Sequence, residues 1–174
     1  SEQENMFDAN AALDHIEQQL SFGPRIPSTK GSEPAQAYIQ NELENNGWLV
    51  DRQEFTFDSK MLANVIGKSS QSTPDLLIGT HYDTREFSDE ETDAEKYYLP
   101  VPGANDGASG TAVLLELSRI LDPSHLNIWF VFFDGEDQGF INNWEWSVGA
   151  QYFVDNAPVY PDKVVIVDMV ADKQ

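Results

Sequence analysis

Three apolar segments ending in ionisable tips constrain this chain most: DLLIGTHYD (75–83), LNIWFVFFD (126–134) and KVVIVDM (163–169). An unbroken apolar run of this length predicts a strand buried on both faces, as in a largely parallel sheet. Between the runs lie GTAVLLELSRIL and VGAQYFVDN, whose apolar residues recur at helical spacing. The second half therefore reads as a βα alternation, which fixes the fold class as α/β with a mixed, mostly parallel central sheet flanked by helices.

The first half supplies different elements. Residues 8–20 predict an amphipathic helix with Asp8 as N-cap and Leu13, Ile16 and Leu20 on one face, stopped by Gly23-Pro24. After the Pro-rich stretch PRIPSTKGS, Ser32 is the expected cap of a second helix through Tyr38, Ile39 and Leu43, ending near Asn46-Gly47. WLVDRQEFTF and MLANVIGK, separated by Asp58-Ser59-Lys60, have the profile of a hairpin. The charged excursion REFSDEETDAEKYYL reads as a surface loop, with Glu86 to Glu95 a solvated face. One domain over 1–174 is expected, since a chain of this length affords a sizeable core.

Charge excludes several partner classes. Thirty Asp plus Glu against ten Lys plus Arg leave a formal net charge of −20. Such an excess repels nucleic-acid backbones and anionic lipid, and it welcomes cations. No run approaches the roughly 20 apolar residues of a membrane helix, and SEQENMFDAN has no signal-peptide profile. Because the chain opens on Ser1, removal of an N-terminal segment is expected, with a secreted or periplasmic location favoured. Acid excess is also an adaptation to salt-rich habitats, where short Debye lengths screen self-repulsion. With no cysteine, any metal must sit on His, Asp or Glu.

In open α/β sheets ligands bind beyond the carboxyl ends of the parallel strands. Seven residues collect there: His81, Asp83, Asp106, Asp134, Glu136, Asp137 and Asp168. Converging carboxylates raise one another's pKa values unless a cation lies among them, so a divalent ion is expected. Imidazole plus carboxylate suits catalytic zinc, although manganese or cobalt fits the same ligands. His81 and Asp83 share a strand face, so Asp83 is placed to accept from the imidazole and fix its tautomer. Each residue also has a plainer reading: His81 as an ordinary strand-end histidine, Asp106 as a helix cap, and Glu136-Asp137 or Asp168 as solvated turns. Asp134 reads as structural, His15 and His125 as edge or surface residues without a role. Trp144 and Trp146 either line a pocket or pack their loop.

The segments GTHYDTR, VPGANDGASGTAVLLELSRIL, FVFFDGEDQG with the later WEWSVGAQYF, and VVIVDM are similar in order and spacing to the zinc aminopeptidase and glutaminyl cyclase family. That family includes bacterial two-zinc leucyl aminopeptidases and animal glutaminyl-peptide cyclotransferases. GPRIPSTKGSEPAQAYIQNELENNGW resembles its N-terminal helical region. The resemblance implies the metallopeptidase (phosphorylase/hydrolase-like) fold and one or two zinc ions. It further implies that His81 and Asp168 bind one zinc, Asp106 bridges both, Asp137 binds the second, and Glu136 is the general base beside Asp83. The implied activity is removal of N-terminal residues from peptides by a metal-activated water, with N-terminal glutamine cyclisation at one zinc as the alternative.

Two departures qualify the resemblance. Glu136-Asp137 stands where the family more often has Glu-Glu. Family members also continue beyond the aspartate matching Asp168 and supply a late histidine to the second metal, whereas no histidine follows His125. The chain is therefore expected to be a front portion of the fold, with exposed apolar sheet surface that a second polypeptide or a homo-oligomer covers. A separate chain, an artificial cut and a natural short form all account for this. A catalytically inactive fold used for metal or protein binding is the remaining alternative.

Overall fold

A computed structural model describes residues 6–156 and 159–170. The elements run α1 (Ala9–Ser21), α2 (Ser32–Asn45), β1 (Leu49–Phe57), β2 (Lys60–Lys68), β3 (Leu76–His81), α3 (Ala108–Ile120), β4 (Ile128–Phe133), α4 (Val148–Asn156) and β5 (Lys163–Ile166). They form the expected mixed sheet, in the order β1-β2-β4-β3-β5. β1 and β2 pair antiparallel, as do β2 and β4, while β3 runs parallel to both β4 and β5. Among the described residues no helix is long and apolar enough to cross a membrane.

β4 shows why the sheet is covered on both faces. Phe130 and Phe132 point into a core shared with Ala35, Ile39 and Leu43 of α2 and Leu114 and Leu115 of α3. Trp129, Val131 and Phe133 point the other way, against Ile66, Leu77 and Phe153 of α4. Alternate side chains of one strand thus feed two cores, and each fully buried Phe or Leu contributes about 1.5–3 kcal/mol.

Local signals behave unevenly. Asp8 caps α1 by accepting from Asn10 N at 2.8 Å and Ala11 N at 3.4 Å. Ser32 does not cap α2. Gly31 holds the cap position without a side-chain bond, and Ser32 Oγ turns inward to accept from Gln36 Nε2 at 3.0 Å. The hairpin turn needs only Asp58 and Ser59, since Phe57 pairs with Lys60. β5 departs from the expected two-sided burial: Val164 is 57% and Ile166 61% exposed. It bonds to β3 along one edge and is the outermost strand among the described residues. Its apolar residues Val164, Val165 and Ile166 lie open, the exposed apolar sheet surface that the sequence predicts.

Candidate metal centre

Parallel β3, β4 and β5 end on the same side of the sheet, so the segments leaving them meet. β3 delivers His81 at its last position, the turn before α3 delivers Asp106, the turn after β4 delivers Glu136 and Asp137, and the segment after β5 delivers Asp168. Gly107 permits the closest approach. Its φ is +86°, and a Cβ there would sit 2.6 Å from Asp83 O and 3.4 Å from His81 Cε1. Only glycine lets this turn press Asp106 onto the imidazole.

His81 is 3% exposed. Its Nε2 lies 2.9 Å from Asp106 Oδ1 and 3.4 Å from Asp168 Oδ1, yet makes no hydrogen bond. Its Nδ1 lies 3.3 Å from Asp83 Oδ1. Burial pulls the His81 pKa down, but the carboxylates of Asp106, Asp168 and Asp83 reverse this and hold it well above the usual range. The three carboxylates thus favour positive charge at the ring. A divalent cation would supply such charge at the position where the orphaned Nε2 and two carboxylates converge, and the donor set fits zinc. Among the described residues His81, Asp106 and Asp168 are the one group of three that could hold an ion.

Asp83 sits beneath this triad and is completely buried. Besides facing His81, it accepts from Glu136 N at 3.0 Å, Asp137 N at 3.1 Å and Gln138 Nε2 at 3.3 Å. One carboxylate therefore fixes both the imidazole and the turn after β4. Glu136 is held from the far side by Ser147 Oγ, which donates to Oε1 at 3.1 Å. Its Oε2 lies 4.0 Å from His81 Nδ1. Burial raises the Glu136 pKa, opposed by His81 and reinforced by Asp83.

Asp137 lies outside the triad. Its Oδ1 is 3.9 Å from Arg85 Nη1. Burial, then the charges of Asp106 and Asp83, push its pKa up to about 8. Arg85 also donates to Asp137 O at 3.0 Å and Gly139 O at 3.1 Å, forks onto Asp89, and stacks 5.0 Å from the Trp146 ring. Asp168 is held below the usual range by His81.

Above the ligands opens a cleft of about 590 Å³, walled by Phe87, Val101, Pro102 and Trp146 and rimmed by Asp89, Glu90 and Glu91. The two tryptophans thus divide: Trp146 lines the cleft, while Trp144 is buried and donates from Nε1 to Asp58 Oδ2 at 3.2 Å. Glu90 to Glu95 are exposed as expected, and Asp89, Glu90 and Glu91 also form the mouth of the site. Asp134 is structural, completely buried and accepting from Ala63 N at 3.1 Å. Sequence reasoning missed Arg85, Phe87 and Ser147, whose roles come from contacts across 11 to 61 residues.

The model for peptidase family M28 matches residues 64–174. The fold superposes on Porphyromonas gingivalis glutaminyl cyclase with a TM-score of 0.89 at 30% identity, covering 96% of this chain and 62% of that one. It superposes on a leucine aminopeptidase precursor from Bacteroides thetaiotaomicron with a TM-score of 0.85 at 32% identity, covering 95% and 63%. The aminopeptidase YwaD of Bacillus subtilis is 29% identical over 147 residues, 78% of this chain and 28% of that protein. The chain thus spans under two thirds of the length of these relatives. With its matched residues carrying the candidate site and strands β3 to β5, the chain belongs to peptidase family M28.

Proposed function

We propose that the protein is a zinc-dependent glutaminyl-peptide cyclotransferase, which closes an N-terminal glutamine into a lactam with loss of ammonia. The observation that carries this choice is the convergent triad of His81, Asp106 and Asp168, the one such group among the described residues, in a fold similar to glutaminyl cyclase. One ion suffices for cyclisation, and Asp137 is engaged by Arg85.

Zinc held by the triad would act as a Lewis acid on the substrate's side-chain amide carbonyl. The chain's own residues do the rest. Glu136 Oε2, on the free side of a carboxyl anchored through Oε1, accepts the proton that the α-amine loses as its nitrogen bonds to the amide carbon. The same carboxyl then returns a proton to the departing amide nitrogen, which leaves as ammonia. A pKa raised by burial suits a group that must both take and give a proton near neutrality. Asp83 acts through others, holding the His81 ring and the backbone at Glu136. Phe87 and Trp146 wall the cleft against water, which would otherwise compete with the amine.

A second reading, hydrolysis of N-terminal residues, is favoured by the likeness to the aminopeptidases. There Asp137 would release Arg85 and, with Asp106, help hold a second ion.

The two readings part on product. The zinc-loaded full-length protein is incubated with Gln-peptides and with Leu-amides. Cyclisation predicts ammonia and a blocked N-terminus from the former and no free leucine from the latter; free leucine without lactam would overturn it. Glu136→Gln should lower turnover at least ~10²-fold while zinc content stays intact. Turnover unchanged by that substitution would remove Glu136 from the mechanism.

A further inference from the structure

We propose that Arg25 is a positioning residue for the metal centre, its guanidinium fixing the turn that carries Asp106 against the strand end that carries His81. This rests on reading His81, Asp106 and Asp168 as metal ligands. Arg25 belongs to the Pro-rich loop GPRIP, where an arginine is ordinarily solvated, yet it is completely buried.

The guanidinium bonds in two directions. Nε donates to Tyr82 O at 3.0 Å, between His81 and Asp83, while Nη1 donates to Pro102 O at 3.0 Å and Nη2 to Gly103 O at 2.5 Å. The main-chain carbonyl of Arg25 accepts from Thr84 N at 3.4 Å, which closes the attachment to the strand end. Gly103 O also accepts from Ala108 N at 3.3 Å, so the carbonyl that Arg25 grips belongs to the start of α3. Asp106 lies between these two anchor points. Gly103 is what allows the approach: at φ +71°, a Cβ would lie 2.5 Å from Nη2 and would overlap Thr84 Cγ2.

Charge points the same way. The acceptors of Arg25 are neutral carbonyls. Burial pulls its pKa down to about 10, and Asp83 and Asp106 act against that fall. A buried cation among neutral carbonyls is costly, and an apolar side chain of similar volume would fill the space more favourably. The cation belongs where carboxylates must be kept together. Its planar fork can hold three carbonyls at fixed angles, which a lysine ammonium cannot reproduce.

The test is zinc affinity, measured by competition with a chromophoric chelator on the full-length protein. Arg25→Lys and Gly103→Ala, which break the same contact from its two sides, should each weaken zinc binding about 10–100-fold. The comparison is Leu43→Ala, a core truncation remote from the cleft that lowers stability but should leave zinc affinity within about twofold. Variants at Arg25 and Gly103 that lose stability yet bind zinc like wild type would overturn the proposal. Should Arg25→Lys fail to fold, the zinc affinity of Gly103→Ala decides alone. Wild-type protein that binds no zinc would sink the metal reading itself, an outcome distinct from equal affinities across the series.

Discussion

Asp134 and Asp83 are both completely buried carboxylates, separated in role by what surrounds them. Asp83 receives two backbone N–H groups and faces an imidazole. Asp134 Oδ2 accepts from Ala63 N, but its Oδ1 has no partner. Burial, reinforced by the charge of Asp83, pushes Asp134 up from 3.8 to about 7. The sign of the linkage follows. Between pH 3.8 and about 7 the folded chain keeps a proton on Asp134 that the unfolded chain has released, so stability falls as pH rises through that window. The penalty is absent below the window and complete above it. Asp134→Asn keeps the acceptor for Ala63 and abolishes the charge. In zinc-free protein, its stability relative to wild type should therefore increase from pH 4 to pH 7 by the order of a few kcal/mol. Parallel denaturation profiles for the two proteins across that range would show that Asp134 does not titrate there.

At the scale of elements, the β1–β2 hairpin carries visible strain. Asp58 and Ser59 have φ of +45° and +62°, and neither is glycine. Two left-handed residues between twisted antiparallel strands match a type I′ turn, which favours Gly at the second position. Asp58 is retained by its bond from Trp144, so Ser59 is the position free to change. Ser59→Gly should stabilise the protein by roughly 0.5–1 kcal/mol, the left-handed strain relieved less the chain entropy that glycine adds. A lower midpoint in denaturant at unchanged slope would contradict this. The same hairpin shows what is legible in the chain alone. Its position, the apolar runs and the helix faces are local patterns, and each reads off the chain. Strand order does not, because placing β4 between β2 and β3 depends on pairing across more than 50 residues. The site divides likewise. His81, Asp106 and Asp168 stand out as ionisable tips on strand ends and turns, whereas Arg25 looks like any loop arginine until Tyr82, Pro102 and Gly103 are folded around it. The exposure of β5 cannot be read from its own residues, whose apolar composition is that of an inner strand.

The whole molecule carries −20, and the sign of its response to salt depends on which charges dominate. Paired charges argue for weakening by salt: Lys68 with Asp51, Arg85 with Asp89 and Arg119 with Glu116 form close ion pairs. Each has at least one largely buried member, but such close pairs are few. Unpaired charges argue the other way. Thirty acidic residues against ten basic ones leave most carboxylates with no cation to meet, and their mutual repulsion grows as the chain becomes compact. The Debye length falls from about 10 Å at 0.1 M salt to about 3 Å at 1 M, which removes repulsion between exposed carboxylates on neighbouring elements. The repulsive sum is the larger, so the melting temperature of zinc-free protein should rise as NaCl goes from low to molar concentration. Zinc should shrink that rise. A cation bound among Asp106, Asp168 and the carboxylates around them neutralises at close range what salt screens from a distance. Melting curves across an NaCl series, with and without saturating zinc, test both parts. A melting temperature that falls with NaCl would mean the few ion pairs outweigh the acid excess. An equal rise in both series would mean the repulsion lies on the outer surface and not at the site.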